Sequence, residues 1–215
     1  MFWIAFAAQM SLPVAVGVPY GDVRSVFSSD DMPAYVQLAG TTRIIRTRTT
    51  VRSNGAIQGC VVEERSGDAK LDAYTCALIL KRAKFRPATW TDGSPLYGVV
   101  RTPVVWRISD FPPSEADILG VIVPDMELSV NQLPTGARST AGVGLIVAAE
   151  ADGRVVTCIG YLPPGSKKPK GYFPELIPIA CQQVMSSLKV PPPIDADGKP
   201  MRSIQTVAVH FKKDH

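Results

Sequence analysis

Four cysteines are the residues of this chain best placed to do chemistry, and they fall into two matched pairs. Gly55 precedes Cys60 by five residues and Gly153 precedes Cys158 by five; Cys76 precedes Gly93 by 17 and Cys181 precedes Gly198 by 17. Only the distance inside each pair differs, 16 residues against 23, which a seven-residue insertion in the second half explains. Zinc ligation favours cysteines two to four residues apart, and a reactive thiol wants a histidine or Cys-x-x-Cys partner. The sequence shows neither arrangement. The reading is two disulfides, Cys60–Cys76 and Cys158–Cys181, with buried free thiols and a metal or redox site as the alternatives. Each bond would close a loop worth about 3 kcal/mol on the chain-entropy model. Both require an oxidising compartment.

The remaining reactive residue types are sparse. The two histidines are His210 and His215, and His210 alternates with Val209 and Phe211, which reads as a solvated side chain on a strand. Glu63-Glu64 have no second carboxylate pair to match them, and neither a glycine-rich phosphate loop nor a nucleophile elbow is present. The expectation is a protein that is not an enzyme and takes no cofactor or metal. Arg46, Arg48 and Arg52, with Arg43 beside them, form the main charge cluster. It reads as a solvated strand face, or as a basic face for an acidic partner or glycan. Trp90, Tyr97 and Trp106 read as sheet packing, with a ligand platform as the alternative. A net charge of +4 over 215 residues does not point to nucleic acid.

These residues need elements to position them. Residues 32–40 read as a short helix after Asp30 or Asp31, with Pro33 in its first turn and Gly40 as its stop. From Thr42 to Arg52 the chain alternates, Ile45, Thr47, Thr49 and Val51 against Arg46, Arg48, Thr50 and Arg52, which predicts a strand with one solvated face. Asn54-Gly55 predicts a type I′ hairpin turn into a strand ending at Glu64. A helix capped by Asp68 or Asp72 should run to about Lys84 with Leu71, Tyr74, Thr75, Leu78, Ile79 and Ala83 inward, and a long strand should run from Leu96 to Ile108. The second half predicts strands at 125–132, 142–150 and 154–161, and a helix at 173–188 with Leu176, Ile179, Ala180, Val184 and Leu188 inward. Its last strand is 201–211, with Val207, Val209 and Phe211 on the inner face. Pro163 to Lys170 holds the insertion as a loop.

The start of the chain carries no charge before Asp22 and has an apolar run from Phe2 to Ala8. It reads as a signal peptide, with Ala15-Val16-Gly17 as the cleavage site. An uncleaved anchor in the inner membrane is the alternative.

Several short pieces together resemble the C-terminal domain of TonB, the periplasmic energy transducer. They are Met32-Pro33-Ala34, Val51 to Ile57, Ser66-Gly67-Asp68-Ala69-Lys70-Leu71-Asp72, Phe85-Arg86-Pro87-Ala88 and Asp92-Gly93-Ser94-Pro95. The second half is similar to a diverged copy, keeping the Asp-Gly hairpin and the Asp-Gly-x-Pro turn. The resemblance implies an α+β fold of two tandem repeats, each a three-stranded antiparallel sheet with helix packed on one face. The expected organisation is a signal peptide at 1–17, a polar segment at 18–30, domain one at 31–108, a linker at 109–124 and domain two at 125–213.

It also implies a periplasmic protein- or peptide-binding module that pairs an edge strand with an extended segment, such as that of an outer-membrane receptor in TonB-dependent transport. The candidate edge is Val99, Val100, Arg101, Val104 and Val105. A structural envelope protein whose edge strands pair with each other, and a glycan or small-ligand binder, are the alternatives. No stable membrane insertion is expected, and a homo-oligomer is compatible with these features.

Overall fold

The alternation in residues 42–52 builds the first strand, and the rest of the fold accumulates on it. The structure, a computed structural model, describes residues 26–39, 42–107, 123–137, 139–161 and 173–214. The expected signal peptide, most of the linker and the Pro163–Lys170 loop lie outside the described residues. Strand β1 (Arg43–Val51) pairs antiparallel with β2 (Ile57–Glu64), and helix α2 (Ala69–Arg82) follows the short helix α1 (Ala34–Ala39) in chain order. Asp68 caps α2, its carboxylate accepting from the Lys70 and Leu71 N–H groups that a helix start leaves without partners. Strands β3 (Ala88–Thr89) and β4 (Pro95–Trp106) complete the first half. The second half holds β5 (Met126–Val130), β6 (Thr140–Ala149), β7 (Val155–Gly160), α3 (Ile177–Ser187) and β8 (Ser203–Lys213).

The hairpin at Asn54-Gly55 differs from the expected type I′ turn. That turn needs positive φ at both central residues, and only Gly55 has it, at 84°. Gly55 N–H instead donates to Arg52 C=O, Arg52 N–H donates to Ala56 C=O, and the Asn54 amide oxygen takes the Ala56 N–H. This is a three-residue loop with a left-handed glycine in its third position. The turns ending in Gly93 and Gly153 repeat it, with Asp92 and Asp152 in the place of Asn54.

Among the described residues eight strands join one sheet, of mixed α+β class, in the order β2-β1-β4-β8-β6-β7, with β3 on β4 and β5 on β8. The two three-stranded units expected from the sequence are thus joined in one open sheet. Of the two arrangements left open for the final strands, the structure has them paired. β4 and β8 run parallel over Tyr97–Val99 and Ser203–Gln205.

Parallel pairing decides where the helices go. Ile45, Leu71, Ile79, Val104 and Trp106 share one core, so α2 lies over the face that carries Gly98 and its neighbour Ile204. Leu145, Val147, Val207, Val209 and Phe211 pack with Ala180 and Val184 of α3, on the face that carries Gln205. The two helices therefore cover opposite faces. Trp106 is buried and its indole N–H donates to the Thr75 hydroxyl, which leaves no orphan donor there. Two residues expected to face inward, Tyr74 and Ile179, are instead 37% and 45% exposed.

Disulfides Cys60–Cys76 and Cys158–Cys181 staple α2 to β2 and α3 to β7. Each thus fixes a helix to the outermost strand of its half. Replacing Cys60 and Cys76 together by alanine is expected to cost about 3 kcal/mol, which lowers the thermal midpoint by roughly 6–12 °C at this chain length. A melt followed by circular dichroism measures it; an unmoved midpoint would mean that packing alone holds α2.

Candidate functional site

The most densely organised polar region lies where β4 and β8 part after their three parallel rungs. Beyond Gln205, β8 keeps β6 on one side and takes β5 on the other, from Met126↔Val209 to Val130↔Lys213. The intervening stretch is served by side chains. Arg101 N–H donates to Thr206 Oγ1 at 3.3 Å, and the Arg101 guanidinium donates to Thr206 C=O at 2.6 Å. Asp125 N–H donates to Ala208 C=O, and Ala208 N–H donates to the Asp125 carboxylate, both at 2.8 Å.

A bulge in β2 then brings the counter-charges. Arg46 lies opposite Glu64 while Thr47 lies opposite Val62, so Glu63 is an extra residue in the ladder. Strict alternation would put Glu63 and Glu64 on opposite faces; the bulge turns both toward the arginines. Glu63 accepts from Arg46 at 3.3 Å and Arg101 at 3.1 Å, and forms an ion pair with Arg48 at 3.3 Å. Glu64 pairs with Arg46 at 3.1 Å, and Asp125 lies 3.7 Å from Arg101. Val123 is held as well, its N–H donating to Glu64 and its C=O accepting from Arg46. Three guanidiniums thus meet three carboxylates, and the cluster carries no net formal charge.

The expected basic face is placed accordingly. Arg46 is 8% exposed and Arg48 half-buried, both in ion pairs, while Arg52 is exposed at the hairpin. Of the expected edge residues, Val99 is fully buried beside Gln205, Val104 is buried, and Val100 and Val105 are half-buried. Arg101 is the centre of the fork where β4 and β8 part. Its N–H points to β8, so by the period of two the next backbone positions on that bank are Pro103 and Val105. Proline has no N–H, which leaves Val105 as the remaining donor there.

Sequence reasoning passed over Glu63, Glu64 and Asp125 as a group. Their signal was faint, two adjacent acids at a strand end and an acid just before an alternating strand. Trp90 lies under the Arg202 guanidinium at 4.2 Å, Tyr97 is buried, and Arg202 pairs with Glu150 at 3.0 Å. An open groove of about 350 Å³ beside α1 and α2 is lined by Met32, Pro33, Tyr35, Lys70 and Tyr74. Among the described residues no cluster of His, Cys, Asp or Glu could hold a metal ion. No described helix is long and apolar enough to cross a membrane.

His210 is half-buried instead of solvated, against Gly142 and across from Glu127. Burial pushes its pKa below the ordinary histidine value of 6.5, with Glu127 pulling weakly the other way. Comparison of the chain with protein-family models, with curated proteins and with solved structures finds no match.

Two outcomes follow from this geometry. Glu63→Gln removes the charge shared by three arginines and is expected to destabilise the fold by about 2 kcal/mol, measured by urea unfolding. A variant as stable as the parent would show that Glu64 and Asp125 suffice. For His210, a folded pKa below the unfolded one means that the unfolded chain binds the proton more readily. Stability should therefore fall as pH drops below about 6.5, and His210→Asn should flatten that part of the stability–pH curve. An unchanged slope would rule out His210 as its source.

Proposed function

We propose that this chain is an exported, non-catalytic envelope protein made of two tandem TonB C-terminal-like units, the second diverged, that acts as a protein-binding scaffold in the periplasm. In this reading the edges by which that family takes hold of a receptor segment are used to join the two units. The parallel pairing of β4 with β8 is the observation that carries it. Three further features support it. Arg101 N–H is already engaged by Thr206, and Pro103 offers no donor beyond it. Both cysteine pairs are bonded, and such bonds form and persist in an oxidising compartment. Arg46 and Arg48 of the arginine face are paired with Glu63 and Glu64, which favours the scaffold over a glycan or acidic-partner site.

The test is a proline at Val105, which removes the last backbone donor on the open bank of β4. The scaffold reading expects Val105→Pro to keep its cross-linked envelope partners. It also expects the thermal midpoint to fall by no more than about 4 °C, the effect of ~1 kcal/mol at this size. Loss of a co-purifying outer-membrane receptor in this variant, with the fold intact, would restore the capture reading and overturn the scaffold.

A further inference from the structure

Among the strands, β5 stands apart in how it is held. β2, β7 and β3 are also outer strands, but β2 and β7 are each tied to a helix by a disulfide and β3 buries Ala88 completely. β5 has no disulfide, the chain leading into it being held by polar contacts of Val123 with Glu64 and Arg46 and of Asp125 with Arg101, and none of its five residues is fully buried. Its apolar residues Met126, Leu128 and Val130 lie half-buried against the core that contains Val209 and Phe211. The Glu127–Lys212 pair at 2.9 Å is more than half exposed at both ends. Elements with so little buried surface occupy the low-stability end of a fold and open first.

What β5 leaves behind on opening is a real edge. The backbone of Val209–Lys213 loses its ladder on that side, Ala208 loses the Asp125 carboxylate, and Asp214 N–H loses Val130 C=O. Such an edge is a template for another strand. The contacts that fill it are all portable: main-chain rungs, alternate apolar side chains, an acid at the head that also meets Arg101, an ion pair at the second position, and Val123, whose bonds to Glu64 and Arg46 pass to the other copy with the strand. None depends on β5 belonging to the same molecule.

We infer that β5 exchanges between copies of this chain, each β5 docking in parallel on the β8 of the other to form a two-fold dimer. The partner is a second copy because its β5 is the one segment whose fit to this edge is displayed. Each exchanged contact replaces an identical one, so the dimer forms without any new interface chemistry. Sixteen residues separate Trp106 from Val123 and nine separate Val130 from Thr140, lengths that span about 50 Å and about 30 Å when extended. Exchange therefore opens both connections of β5 and leaves β4 and β6 in place.

The experiment uses two full-length variants that cannot form the bond alone. Ser129 and Lys212 are register partners, so Ser129→Cys is mixed with Lys212→Cys at high concentration under mild oxidation. Exchange predicts a covalent heterodimer on a non-reducing gel. It should exceed, by at least roughly tenfold, the product of Ser129→Cys with Lys199→Cys, whose exposed cysteine lies off the register, because a disulfide needs the two Cα atoms within about 7 Å. Equal yields from the two mixtures, or no heterodimer in either, would overturn the inference. The double variant Ser129→Cys/Lys212→Cys, oxidised when dilute, should lock β5 in its own molecule and remain monomeric in sedimentation; dimer formation by that locked form would also overturn it.

Discussion

A strand edge must find partners for its backbone, and β8 sets the largest such demand in this molecule. Along one side it has β6 throughout. Along the other, β4 serves Ser203–Gln205, β5 serves Val209–Lys213, and neither strand reaches the residues between. Arg101 and Asp125 fill that gap with side chains that stand in for backbone: a guanidinium for an N–H, a carboxylate for a C=O. An unmade hydrogen bond at a buried position costs about 1–3 kcal/mol, so the gap cannot be left open cheaply. The rest of the polar architecture follows from closing it with charged groups.

A guanidinium drawn into the sheet loses water and needs a counter-charge in its place. Arg101 is 11% exposed at its side chain and Arg46 9%, so both face that penalty. Glu63 supplies one carboxylate to three arginines, which alone would leave the cluster positive. Glu64 and Asp125 restore the balance, and the bulge in β2 is what puts two successive acids on one face. The same pairings hold Val123 by both its backbone groups and so fix how the chain enters β5.

The local elements were legible because they obey simple periods and caps. Asp68 before Ala69–Arg82, the alternation of Ile45, Thr47, Thr49 and Val51, and the matched cysteine spacing all led to features that the structure contains. The fork was not legible, for two physical reasons. A bulge adds one residue and leaves no mark in composition, and strict alternation places Glu63 and Glu64 on opposite faces. The pairing of β4 with β8 joins strands about a hundred residues apart in sequence, at a register set by tertiary packing and not by any turn. The solvated reading of Arg46 and His210 failed for the same reason, since strand periodicity assigns a face but not what covers it.

Three rungs are a short seam between the two halves of a sheet, and the covering loops explain how it holds. Because β4 and β8 are parallel, α2 and α3 fall on opposite faces, and each half leaves one face of the other to be covered. After α2 the chain crosses the seam, where Ala88, Trp90 and Leu96 pack on Ile146, Ala148 and Ile204. After α3 the chain returns along the opposite face. There Pro191 C=O accepts from the buried Gln205 amide and Ile194 C=O accepts from Gln58 of β2. The seam is thus braced from both sides by segments that belong to the other half. With antiparallel pairing both helices would share a face, and the two crossing segments would compete for the same side of the seam while its reverse lay bare. The direction of three backbone rungs is therefore what lets the halves brace one another.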